Sequence, residues 1–400
     1  MRISIGLLAL AVAVAAVPAR AETRDARTLA LGWMTENADA VVLGRASEER
    51  SVGEGGTVRE LDLLVDESLR GSVAAGTTVV VAWEGHGEAP PWTKGGVHLA
   101  FLRSLPVPAG SPARWAPVSG AFSIKPIPAE GPEARFPAVV RAIGSFLDAD
   151  GGVAKPDPFR EHLVAGMEDA DPGLAWSAAT DFLRHEALHG GLTAEQGGRI
   201  VAAFRRQPAG KRTKEALALA VSATKDPAAT RALVDALEDP KARQIRVVLG
   251  EALRRRRDPA ASRLLVARLS GGTPARRADA LRVLGLCEAV DAAPAVRERL
   301  ADGGAEVRTE AAQALGLLAR AAREADPAAR LAGTAELAEV AGTREAGGSE
   351  TRAALWALAQ MDEADAWAAL RRLAAEDPRE EVRRYAERYL ANPRQSLILD

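Results

Sequence analysis

The apolar positions change their spacing once along the chain. Before about residue 150 they come in short runs broken by glycine and proline. In 58–66, Leu61, Leu63 and Val65 alternate with polar neighbours, the period of two of a half-buried strand. Residues 40–45 (Ala-Val-Val-Leu-Gly-Arg) and 97–103 predict further strands, and 115–118 and 121–124 shorter ones. Residues 77–83 are continuous and β-branched, which predicts a strand covered on both faces. Turn residues separate these runs, as in Gly53-Glu54-Gly55-Gly56 and Glu88-Ala89-Pro90-Pro91. Helices are expected at 25–35 and 136–147. Five or six strands in roughly 100 residues favour a small barrel or sandwich.

From about residue 158 the spacing becomes helical. Val307, Ala311, Ala314, Leu315 and Leu318 form one apolar stripe. Three stretches repeat one another: 243–250, 277–285 and 307–316, each ending in Leu-Gly. Related helices are expected at 174–184, 215–223, 351–359 and 381–390. Second helices are expected between them at 229–237, 261–269, 293–300 and 367–374. Val296 and Leu300 should pack on the stripe of the following unit. Aspartate-proline pairs punctuate the run at Asp171, Asp226, Asp239, Asp258, Asp326 and Asp377. Proline is tolerated at the first helical position, where its missing N–H leaves nothing unpaired. Two helices per roughly 30 to 45 residues is the pattern of an α-solenoid, here of six or seven pairs. Residues 325–349 read as an insertion that blurs the register.

The helical half resembles the HEAT-repeat family, and more closely its short bacterial form, through Asp302, Val307, Arg308, Ala311, Ala312, Ala314, Leu315 and Gly316 and again through residues 377–386. That resemblance implies a fold and almost nothing about an activity. The first half resembles, at the level of pattern, barrels related to the OB fold and netrin/TIMP-like modules. The pieces are 38–45, Glu67-Ser68-Leu69-Arg70-Gly71 and 96–102. The cysteines of the netrin-like modules are absent, so no function is carried over.

The fold class expected is therefore multidomain α+β: a small β-rich, barrel-like domain at 22–150, then an α-solenoid of HEAT-like helix pairs at 155–400. Ahead of both, Arg2, an apolar run over 3–17 and Ala19-Arg20-Ala21 read as a secretory signal peptide, 1–21, cleaved before Glu22. The run is about fifteen residues, short of the roughly 20 that span a bilayer. With no cysteine directly at the cleavage site to carry a lipid and no later apolar span, the mature chain is expected in the periplasm or outside the cell. A net charge of -2 argues against a nucleic-acid partner. The lone Cys287 excludes an internal disulfide. Its run, Leu284-Gly285-Leu286-Cys287, reads as buried and apolar.

One chemical motif is spelled in full. His185-Glu186-Ala187-Leu188-His189 is HExxH, in which a helix sets two histidines one turn apart on a zinc and the glutamate activates water. Against it, Gly190-Gly191 follows at once, and Leu192 and Glu195 stand where a metzincin has glycine and histidine. Glu195 or Glu215 would have to be the third ligand. The competing reading is a repeat helix ending in a dipole-compatible histidine. His86, His98 and His162 lack metal-ligand spacing and read as surface or strand residues. Arg254 to Arg257 reads as the end of a helix before Asp258-Pro259, with an acidic-partner patch as the alternative. Trp83, Trp92 and Trp115 read as core packing, with a binding spot as the alternative. The function expected is a non-catalytic exported scaffold for another protein, with no cofactor. The alternative is a zinc metallopeptidase using His185, Glu186 and His189.

Overall fold

The computed structural model describes residues 30–52, 58–84, 92–106, 113–118, 123–148, 156–208, 212–343 and 348–393. The expected signal peptide, the start of the first helix and His86 lie outside these. Contacts divide the chain into two units, Met1–Leu163 and Val164–Asp400.

In the first unit the described residues form six strands: β1 (Ala40–Val52), β2 (Val58–Arg70), β3 (Thr78–Glu84), β4 (Val97–Leu105), β5 (Arg114–Pro117) and β6 (Ile124–Pro126). Their order is β1-β2-β3-β5-β4-β6, and β1 also pairs with β4, which closes five strands into a ring. All the pairs are antiparallel except β3 with β5. Closure requires strong coiling. β1 supplies it with register shifts at three places along β2. Gly44 lies at one of them, where a Cβ would sit 2.6 Å from the Leu64 carbonyl oxygen.

Ala40, Val42, Ala46, Leu61, Leu63, Val65, Val79, Val81, Ala100 and Leu102 fill the interior. β3 departs from its expected two-sided burial: Val79 and Val81 are buried, whereas Val80 is half-exposed. A barrel strand needs only its inward face covered, so a continuous apolar run does not require two neighbours. α1 (Leu31–Asn37) and α2 (Phe136–Leu147) pack on each other, and reach β4 and β2 respectively. α3 (Pro156–Met167) follows and carries the boundary between the units. Its Phe159 stacks on Phe146 of α2 at 4.3 Å between ring centres.

The second unit is a succession of helix pairs. The first helices are α4 (Pro172–Arg184), α6 (Arg212–Ser222), α8 (Arg246–Arg256), α10 (Pro274–Leu286), α12 (Ala305–Ala325), α14 (Gly348–Met361) and α16 (Glu380–Ala391). Between them lie α5 (Ala194–Arg206), α7 (Ala228–Asp235), α9 (Ala260–Ala267), α11 (Ala293–Glu298), α13 (Thr334–Gly342) and α15 (Ala364–Glu376). Each first helix packs on the next first helix. The second helices run alongside, α9 meeting the 3₁₀ turn that leads into α11, and α13 meeting the 3₁₀ turn that ends α11. Val296 and Leu300 are buried, and α11 with its closing turn packs on α12 as the stripe requires.

The repeat shows in small devices. α7, α9 and α11 each end in a 3₁₀ turn that buries one leucine: Leu237, Leu269 and Leu300. The Leu-Gly pairs are places of close approach. A Cβ at Gly250 would lie 2.5 Å from Leu286, and one at Gly316 2.6 Å from the Trp356 ring. The aspartates of the Asp-Pro turns accept backbone N–H groups: Asp226 from Ala228, Asp258 from Ala260, Asp326 from Ala328 and Asp377 from Arg379.

Periodicity did not pick out α3, α5 or α13. α5 has a full capping box, Thr193 with Gln196, readable in the letters. α13 lies inside the stretch expected to be an insertion, so 325–349 carries an ordinary second helix after a lengthened α12.

Candidate functional site

The HExxH stretch lies across a helix end. Asp171 caps α4 by accepting the Leu174 N–H at 2.9 Å, and the helix runs only to Arg184. His185 takes φ -104° and ψ 77°, outside the helical region, and its N–H turns back to the Phe182 carbonyl. Glu186–Leu188 then forms a single 3₁₀ turn, fixed by the fully buried Leu188. The two histidines are therefore not one α-helical turn apart. The helix ends at Arg184, as expected for 174–184, and does not run on to His189, because the chain changes direction where Leu188 is buried. The His189 Nε2 lies 3.0 Å from the Phe182 carbonyl oxygen, which accepts from it, and the two rings are 4.6 Å apart. Glu186 is exposed, and so is Glu195 in the first turn of α5. Glu215 is half-buried on α6, and burial pushes its carboxyl up. Among the described residues no three His, Cys, Asp or Glu side chains are gathered so as to hold a metal ion.

The arginine run has been put to use inside the fold. Arg254 and Arg255 both bond Glu251 one turn earlier on α8, and Arg254 also reaches Glu288 at 3.4 Å. Arg256 donates to the carbonyl oxygens of Val221, Thr224 and Asp226 at 3.1, 2.6 and 3.1 Å. It thereby satisfies carbonyls at and beyond the end of α6, a neighbour no sequence argument names. Burial lowers its pKa from the usual arginine value. Arg257 ends α8 in a left-handed conformation, φ 50°.

Beside this run is a cleft of about 680 Å³, lined among others by Arg254, Arg257, Asp258, Cys287 and Glu288. Its wall carries both signs of charge. Cys287 is half-buried, less enclosed than its apolar run implied, because it falls on the turn after α10. Burial still pushes its thiol up to about 12, so it holds its proton and is a poor nucleophile.

A ladder of charge joins successive first helices. Arg246 of α8 bonds Asp279 of α10 at 3.1 Å; Arg282 of α10 reaches Glu310 of α12 at 3.5 Å; Arg308 of α12 bonds Glu350 of α14. The three carboxylates are buried. No local pattern announces these pairs, which lie 28 to 42 residues apart.

In the barrel, Trp83, Trp92 and Trp115 are partly buried against the interior cluster. Trp92 Nε1 donates to Glu49 at 2.5 Å. His98, expected to be an ordinary surface or strand residue, is fully buried. Its β4 register gives it the inward face shared with Ala100 and Leu102. His162 is half-buried on α3, and burial lowers its pKa.

No family model and no curated protein matches this chain. Among solved structures, the CpcE–CpcF complex of phycocyanin lyase from Nostoc sp. PCC7120 matches at 20% identity, over 60% of this chain and 90% of that one, with a TM-score of 0.31. A Kap121p mutant matches at 10% identity over 65% of this chain and 36% of its own, TM-score 0.40. Human deoxyhypusine hydroxylase matches at 19% over 66% and 91%, TM-score 0.27. At such scores the helix pairing itself, and not the likeness, defines the repeat.

Proposed function

We propose that the chain is an exported, non-catalytic scaffold that grips another protein through the surface of its helix pairs. One observation carries the reading: the second unit is built of first and second helices packed layer by layer. Such an array offers a long surface formed in advance, so binding does not have to order it. The HEAT-like letters of α12 and α16 support the same reading. The ring order of the strands, with its one parallel pair, supports kinship of the first unit with OB-type barrels. Export rests on the leader pattern of residues 1–21, and no helix among the described residues is long and apolar enough to cross a membrane.

Photo-crosslinking of the full chain in its native compartment tests this. The exposed positions are Val247 in the first layer and Arg371 in the second, with Leu64 of the barrel as control. The expected result is one recurrent protein adduct from a helical position and none from Leu64. Adducts confined to Leu64 would overturn the assignment to the helices. Stoichiometric zinc in purified protein, lost in His185→Ala, would favour the metallopeptidase instead.

A further inference from the structure

One end of the barrel is held shut through a buried imidazole. Residues 92–96 lead into β4, and three bonds pin them down. The Gly95 N–H donates to the Ala46 carbonyl of β1 at 2.7 Å. The Trp92 indole donates to Glu49. The Thr93 N–H donates to Nε2 of His98 at 3.2 Å. His98 has no exposed surface, and Gly44 of β1 and Pro126 of β6 stand opposite it in the two ladders. Because Nε2 accepts, the ring proton is on Nδ1, for which no partner of hydrogen-bond geometry lies among the described residues.

Protonation is therefore opposed twice. It would turn Nε2 into a donor facing the Thr93 N–H, and it would place a charge beside apolar interior residues. We propose that His98 is an acid-released latch, whose protonation frees residues 92–96 from the barrel and opens that end of its interior.

Burial lowers the His98 pKa below its ordinary 6.5, with the Gly96 backbone opposing in part. Among the described residues no side-chain charge offsets the burial. Arg45 of β1 is bound to Asp66 at 2.6 Å, and Glu49 is taken by Trp92 and by Arg59 at 2.8 Å. Lys125 of β6 lies over the Phe136 ring, and Lys94 is in the turn itself. The closed form thus binds a proton less readily than the open form, whose histidine titrates near 6.5. The closed form is favoured above that pH. Below it the open fraction rises about tenfold per pH unit, until the closed form titrates too.

Hydrogen exchange of the full chain, corrected for intrinsic rates, reads this at the amides of Thr93, Gly95 and Gly96. Opening is expected to rise from pH 7.5 to pH 5, by at most about thirtyfold. In His98→Gln, which keeps an acceptor and does not titrate, it should be flat. An equal acid rise in His98→Gln, or none in the wild type, overturns the proposal. Should that variant not fold, nitrogen NMR of the wild-type ring decides. A proton on Nδ1 at pH 7.5 is required, and a proton on Nε2 refutes the latch.

Discussion

Arg308 and Glu350 show what single residues contribute to the stack. Glu350 is almost fully buried and receives the Arg308 guanidinium, which also donates to the Asp302 carbonyl at 2.6 Å. Removing the cation strands a carboxylate between two helices, a loss on the order of 3–5 kcal/mol. Arg308→Ala should lower the urea midpoint accordingly, and the double variant with Glu350→Gln should recover part of the loss. Arg257 offers the opposite case. Its left-handed backbone costs about 1–2 kcal/mol for a side chain with a Cβ. Glycine would remove that strain while adding about 0.4–1 kcal/mol of unfolded-chain freedom. Arg257→Gly is expected to raise stability by about 0.5–1 kcal/mol, measurable by chemical denaturation.

At the scale of elements, the turns and the close approaches set the repeat. Asp258 accepts from Thr230 Oγ1 at 2.5 Å and from the Ala260 N–H. These bonds, the Thr230 one first, hold its carboxyl below the usual 3.8. An unfolded Asp258 therefore binds a proton more readily than a folded one. The stabilisation is complete above about pH 4 and disappears as pH falls through the lower folded value. Asp258→Asn should accordingly flatten part of the acid limb of a stability-against-pH curve, with little change in its alkaline side. Gly316→Ala brings a methyl to the Trp356 ring, and Trp356 is nearly enclosed. Overpacking of this kind costs about 1–3 kcal/mol, seen as a lower melting temperature. The same change at Gly271, with nothing within 4 Å, is the control.

Across the whole molecule, the second unit is a one-dimensional array in which each pair depends on its neighbours. A lesion in the middle is then expected to weaken adjoining pairs before distant ones. In Gly316→Ala, amide protection should fall most in α10, α12 and α14, less in α4, and not in the barrel, which has a core of its own. Equal loss in every helix would show the unit folding as one indivisible body.

Local chemistry alone determined much of this protein. Alternation in residues 58–66, the stripe of α12 and the aspartate-proline turns each depend on a few neighbouring residues, so each strand or helix could be read where it stood. What long-range contact determines was not legible. Ring closure depends on β1 meeting β4, some 55 residues later, and only that pairing turns His98 inward. The 3₁₀ turn after α4 depends on Leu188 finding a buried place, and this carries the HExxH letters off a single helix. The partners of Arg256 and Glu350 lie on other repeats. Periodicity records which face of a segment avoids water, whereas only the assembled packing decides which segment it meets there.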